Sequence, residues 1–181
     1  MAMDTGVQAT DVALLMLRVV LGLTMAAHGV NKFFGGGRIP ATAAWFESIG
    51  MKYGRMQAVT AATAEIAAGV GLTIGLFTPI AAAGFVALMT VAFWTVHRSN
   101  GFFVLTNGWE YNLVLAAGAV AVAMIGPGYL SADHQIFCHC WENGWPGLWI
   151  SVGLGLAGAI GQLLLFYRRP AASSSSTGAA A

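Results

Sequence analysis

The chain has 181 residues, of which 57% are hydrophobic and 8% charged, with a formal net charge of +1. Ordinary soluble domains carry about a quarter charged residues, so this composition excludes that class and marks an all-α, multi-span integral membrane protein. With no dense basic stripe and almost no net charge, nucleic-acid binding is excluded as well.

Five apolar segments approach the roughly 20 residues needed to cross a hydrocarbon core: residues 13–34, 56–77, 80–97, 111–125 and 148–167. Residues 1–12 precede them as an N-terminal extracytoplasmic segment, whose only charges are Asp4 and Asp11. The first span has no basic region before it and is long enough to cross, which predicts a retained helix and not a cleaved signal peptide. It carries Arg18, His28, Asn31 and Lys32. Ionisable groups at membrane depth cost roughly 3 kcal/mol each on insertion scales, so they face the bundle interior, pair with one another and mark functional paths.

The connection after the first span opens with Gly35-Gly36-Gly37 and runs into residues 41–49, where Trp45, Phe46 and Ile49 fall at helical spacing. This predicts a short amphipathic helix at the membrane surface with its aromatics at headgroup depth; a lid is the alternative. In the second span Glu65 stands on a face of small residues, Ala58, Ala61, Ala62, Ala68 and Gly69, which is a helix-packing face. A rise of 1.5 Å per residue puts Arg18 roughly 9 Å and Glu65 roughly 16 Å below the outer ends of their helices. An Arg18–Glu65 ion pair is therefore expected. It has two readings, a lock between the first two spans or the wall of a polar cavity for a headgroup or a proton.

Thr78-Pro79 separates the second and third spans, and proline cannot supply the next backbone donor, so these two form an antiparallel hairpin. The third span ends on His97 and Arg98, and the fourth opens on Trp109, Glu110 and Tyr111. With His28 and Lys32 these form a second group at the inner border: His28, Lys32, His97, Glu110 and Tyr111. Border residues of this kind anchor helices at the headgroups. A histidine near a carboxylate and a phenol is also what proton exchange with a quinone-like or phenolic ligand requires.

Residues 126–147 read as an irregular loop, and the extracytoplasmic part at 134–147 contains Cys138-His139-Cys140. A disulfide across one intervening residue is strained. A structural or intermolecular disulfide, a redox thiol pair and, last, a metal site with His134 and His139 are the readings; no metal ligand is assigned. The fifth span brings Gly153, Gly155, Gly158 and Gly161, a small-residue packing face. Residues 168–181 are low-complexity and expected to be a disordered cytoplasmic tail. Arg38, Lys52, Arg55, Arg98, Arg168 and Arg169, with Lys32 at the border, all fall on one side, so the positive-inside rule places the N-terminus outside and the C-terminus in the cytoplasm. There is no dinucleotide fingerprint, nucleotide-phosphate loop, CxxC or haem-attachment motif, and His28 and His97 meet only the depth condition for haem ligation.

Several pieces recur in a recognisable order: Arg18 with Gly22, His28-Gly29-Val30-Asn31-Lys32, Trp45-Phe46 with Gly50, Glu65 with Gly69, Gly75-Leu76-Phe77-Thr78-Pro79, Gly101-Phe102-Phe103, Glu110-Tyr111, and Gly126-Pro127-Gly128-Tyr129-Leu130-Ser131 with Asp133. Over residues 12–133 the chain resembles the DoxX-like family of small bacterial integral membrane proteins, relatives of the membrane subunit of thiosulfate:quinone oxidoreductase. The resemblance implies a four-helix core over residues 13–133 in a bacterial inner membrane. It also implies membership in an oxidoreductase system of sulfur, redox-stress or catechol and quinone detoxification chemistry. Arg18, Lys32, Glu65, Glu110 and Tyr111 map onto family positions. After Asp133 the chain departs from the pattern by adding the fifth span.

The expectation is a membrane subunit or scaffold that binds a quinone, phenol or lipid headgroup in the polar interior of the first, second and fourth spans. Quinone is the one cofactor suggested, and no residue is assigned a catalytic role. A non-enzymatic assembly protein for soluble redox partners, and a small-solute or proton pathway, are the alternatives. Lipid, other redox proteins and a second copy of the chain are the partners to consider.

Overall fold

The computed structural model describes residues 7–137 and 143–169. The chain is all-helical: α1 (Ala9–Phe34), α2 (Arg38–Ser48), α3 (Gly54–Ile74), α4 (Thr78–Ala92), α5 (Glu110–Ile125), α6 (Ala132–Phe137) and α7 (Trp145–Phe166). Past its α-helical part, α4 continues through a π-helical turn, Phe93–His97, and a 3-10 turn, Arg98–Asn100. Among the described residues, four helices are long and apolar enough to cross a membrane: Ala9–Phe34, Gly54–Ile74, Thr78–Asn100 and Trp145–Phe166. The fifth, α5, has 16 residues and reaches only about 24 Å of a core of about 30 Å. The apolar stretch 102–105 stands at its N-terminal end, with the 3-10 turn Val104–Thr106 folded there. This is a multi-pass membrane protein, and the exposed Met16, Val20 and Leu23 on α1 and Trp149, Leu156 and Leu164 on α7 form surfaces suited to lipid.

The second and third spans are a tight hairpin, but its break lies one step earlier than the sequence suggested. Gly75 and Phe77 both take positive φ, +68° and +47°, and turn the chain. Thr78 and Pro79 already lie in the first turn of α4, where proline's missing N–H is one of the unpaired ones in any case. Residues 126–147 are also less irregular than expected, because α6 folds within them.

α1 packs along α3, and α4 lies at the centre, against α3, α5 and α7. The α1–α3 contact is close because glycines face it: a Cβ on Gly69 would collide with Ala26, and one on Gly29 with Ile66. Met25, Leu72, Phe85, Leu115 and Val122 fill the core between α1, α3, α4 and α5. The added helix α7 lies outside that core against α4 and α5, with Gly155 seated on Val86. Its C-terminal end is fastened to the chain before α3. Lys52 N–H donates to Phe166 O at 2.8 Å and Arg168 N–H to Gly50 O at 2.8 Å. All helix ends bearing Arg38, Lys52, Arg55, Arg98 and Arg168 fall at one end of the bundle, called here the basic end.

Candidate functional site

Arg18 and Glu65 do not pair as the sequence suggested. Lys32, not Arg18, binds Glu65: its Nζ donates to Oε1 at 2.7 Å and to Oε2 at 2.6 Å. The reason is the lean of helical side chains, whose Cα–Cβ bonds tilt toward the helix N-terminus. The antiparallel register sets Gly29 opposite Ala62 and Glu65, and Gly22 opposite Gly69 and Thr73. Lys32 therefore leans back toward Glu65, while Arg18 leans away from it, toward the opposite end of the bundle.

Arg18 is fully buried there. Its Nη2 donates to Leu130 O at 2.5 Å, and its guanidinium lies against Gly75, where a Cβ would collide with it. The acid whose charge acts on it is Asp133. That carboxylate accepts the backbone N–H groups of Phe77 and Thr78 at 2.7 and 2.9 Å and the Thr78 hydroxyl at 2.7 Å. Asp133 thus caps α4 from outside the helix, satisfying donors that every helix N-terminus leaves open. Asp11 secures the same loop by accepting Tyr129 N–H at 2.7 Å.

The Lys32–Glu65 pair lies on the wall of a cavity of about 310 Å³ between α2, α3, α4 and α7. Trp45, Phe46 and Ile49 of the predicted surface helix line it, so α2 covers the cavity from one side. Ala61, Ala64, Gly84, Ala87 and Gly158 keep its walls wide by being small. The π-helical turn contributes Thr95 and His97, in keeping with the tendency of such turns to occur at functional sites. The polar interior therefore involves the second, third and fifth spans, with Lys32 reaching in from the first. The fourth span is not among its walls.

The remaining members of the expected inner group separate. His28 and Tyr111 do meet: Nε2 and the phenol oxygen share a hydrogen bond of 3.2 Å on the seam between α1 and α5, away from the cavity. Glu110 turns back on its own loop, accepting Val104 N–H at 2.9 Å. His97 Nδ1 donates to Asn107 O at 2.7 Å. Since a carbonyl only accepts, that bond fixes the proton on Nδ1. Cys138 and Cys140, with His139, lie outside the described residues.

Two residues of the cavity were missed in the sequence. Gln57, on the first turn of α3, and Gln162, near the end of α7, bond to each other, with Gln162 Nε2 donating to Gln57 Oε1. The available signal was a glutamine inside the otherwise apolar run of the fifth span.

Comparison with known proteins gives a family match over residues 13–98, to DoxX. A protein of Bacillus subtilis (strain 168) named "Putative oxidoreductase CatD" is 28% identical over 127 residues, which make up 70% of this chain and 89% of that protein. No solved structure matches the chain.

Proposed function

Residues 13–98 form a DoxX family domain, and on that premise we propose that this membrane protein serves an oxidoreductase system by holding a quinone or phenol in the cavity beneath α2. The observation that carries the reading is the Lys32–Glu65 ion pair on the wall of that cavity. Two charges at this depth are costly, and here they border open space instead of packed protein. A volume of about 310 Å³ is at the small end of ligand sites, which run from roughly 300 to 1,000 Å³, and suits a head of one or two rings. The name of the Bacillus relative supports an oxidoreductase setting. Lys32 and Glu65 would set the charge at the ligand, and α2 would keep water from it. The basic end lies in the cytoplasm under the positive-inside rule.

Filling the cavity tests this. A Cβ on Gly158 would meet only Ala87 Cβ at 3.8 Å, an ordinary contact, so Gly158→Leu grows into open space. The variant is expected to fold with its thermal midpoint unchanged and to bind menadione at least roughly tenfold more weakly, since the occupied volume excludes the ring. Unchanged affinity overturns the proposal.

A second reading, assembly of soluble redox proteins at the basic end, is favoured by one observation. Phe103, Val104 and Leu105 are exposed, Leu105 at 95%, on a loop that Glu110 braces. Leu105→Asp would then release a co-purifying partner without altering menadione binding.

A further inference from the structure

The cavity's polar groups differ in whether their donors are engaged. Lys32 is clamped by both oxygens of Glu65, the Thr95 hydroxyl donates to Val91 O at 2.8 Å, and His97 Nδ1 donates to Asn107 O. Gln57 is set apart as a buried cavity residue whose donor is free. Its side chain is 2% exposed, it lines the cavity, and its Nε2 has no hydrogen-bond partner among the described residues. Its oxygen is occupied by Gln162. Gln162 supplies the donor between the two amides, so the whole NH2 group of Gln57 is left over.

We propose that Gln57, aimed by Gln162 of α7, is the polar anchor of this cavity and selects ligands that present an acceptor oxygen from an apolar ring. The proposal rests on the cavity being a ligand site and adds what that site recognises. A buried donor without a partner is costly, so a ligand that supplies an oxygen is favoured over one of the same shape that does not. A quinone carbonyl and a phenol oxygen both qualify; a hydrocarbon does not. It also gives α7 a role, because the helix added after the family region supplies both a wall, through Gly158, and the residue that orients Gln57.

The test compares menadione with 2-methylnaphthalene, which has the same ring skeleton without oxygens. Binding to the full chain in lipid nanodiscs is measured by equilibrium dialysis, counting as cavity binding the part that Gly158→Leu removes. Wild type is expected to bind menadione roughly tenfold more tightly than the hydrocarbon. In Gln57→Met that ratio falls to about one while the hydrocarbon's own affinity holds, as expected from losing a single hydrogen bond. Gln57→Glu, which still accepts from Gln162 but has no NH2 group, is the second variant and is expected to lose the ratio too. A ratio that persists in these variants overturns the anchor and leaves the cavity reading intact. Equal wild-type affinity for both probes has the same meaning. No binding sensitive to Gly158→Leu, for either probe, overturns both.

Discussion

Arg18 and Lys32 sit on the same helix, the first buried and the second half-buried, and their surroundings differ in one decisive respect. Around Arg18 the space is filled: Leu130 O accepts from it, Gly75 packs on it, and Asp133 nearby is bound to the start of α4. Around Lys32 one side is filled by Glu65 and the other opens on the cavity. Both cations carry the cost of leaving water, so cost alone does not mark function. What distinguishes them is whether the charge faces protein or space.

If that distinction holds, damage at the Arg18 end should cost stability and leave binding alone. Asp133→Ala removes three hydrogen bonds from the start of α4, which at about 1 kcal/mol each is expected to cost about 3 kcal/mol. A large fall in thermal midpoint in detergent is expected, with unchanged menadione affinity in the folded fraction. Weakened binding at full stability would show that the two ends are not separate.

At the other end the two readings of the ion pair can be told apart. Glu65→Gln leaves Lys32 without its counter-charge. It is expected to cost about 2 kcal/mol, within the range for losing one partner of a partly buried pair, and Lys32→Met with Glu65→Gln should recover part of that. A simple lock between α1 and α3 predicts these stability effects alone. A cavity wall predicts in addition that both the single and the double variant change menadione affinity several-fold.

The sequence made the spans legible because apolar length is a one-dimensional signal. It also made legible which helix ends share the basic side. It did not reveal the pairing of charges. Depth along each helix brought Arg18 within reach of Glu65, but depth ignores side-chain lean, and that lean carries Arg18 toward Gly75 and Lys32 toward Glu65. The cavity was hidden for another reason. Its walls are small residues, which in a membrane helix read equally as packing faces. Only the placement of α7 shows that Gly158 borders open space while Gly155 is pressed onto Val86. His28 and Tyr111 were expected only as members of one inner group with Lys32, His97 and Glu110; the two share a hydrogen bond, while Glu110 braces its own loop.

The smallest effect is expected between the two regions, on the α1–α5 seam. Tyr111 is 38% exposed, and its hydrogen bond to His28 is 3.2 Å long, so Tyr111→Phe should change stability by no more than about 1 kcal/mol. Menadione affinity should not change, because neither residue borders the cavity. The informative measurement is quinone-linked turnover in membranes. His28 is one turn from Lys32 on α1, which makes its bond to this phenol the contact to test for proton exchange. A variant with wild-type affinity and slowed turnover would place proton exchange on the seam and ligand recognition in the cavity. Wild-type turnover would reduce the His28–Tyr111 contact to a helix-packing bond, and the chemistry would then rest on the one charge pair that faces open space.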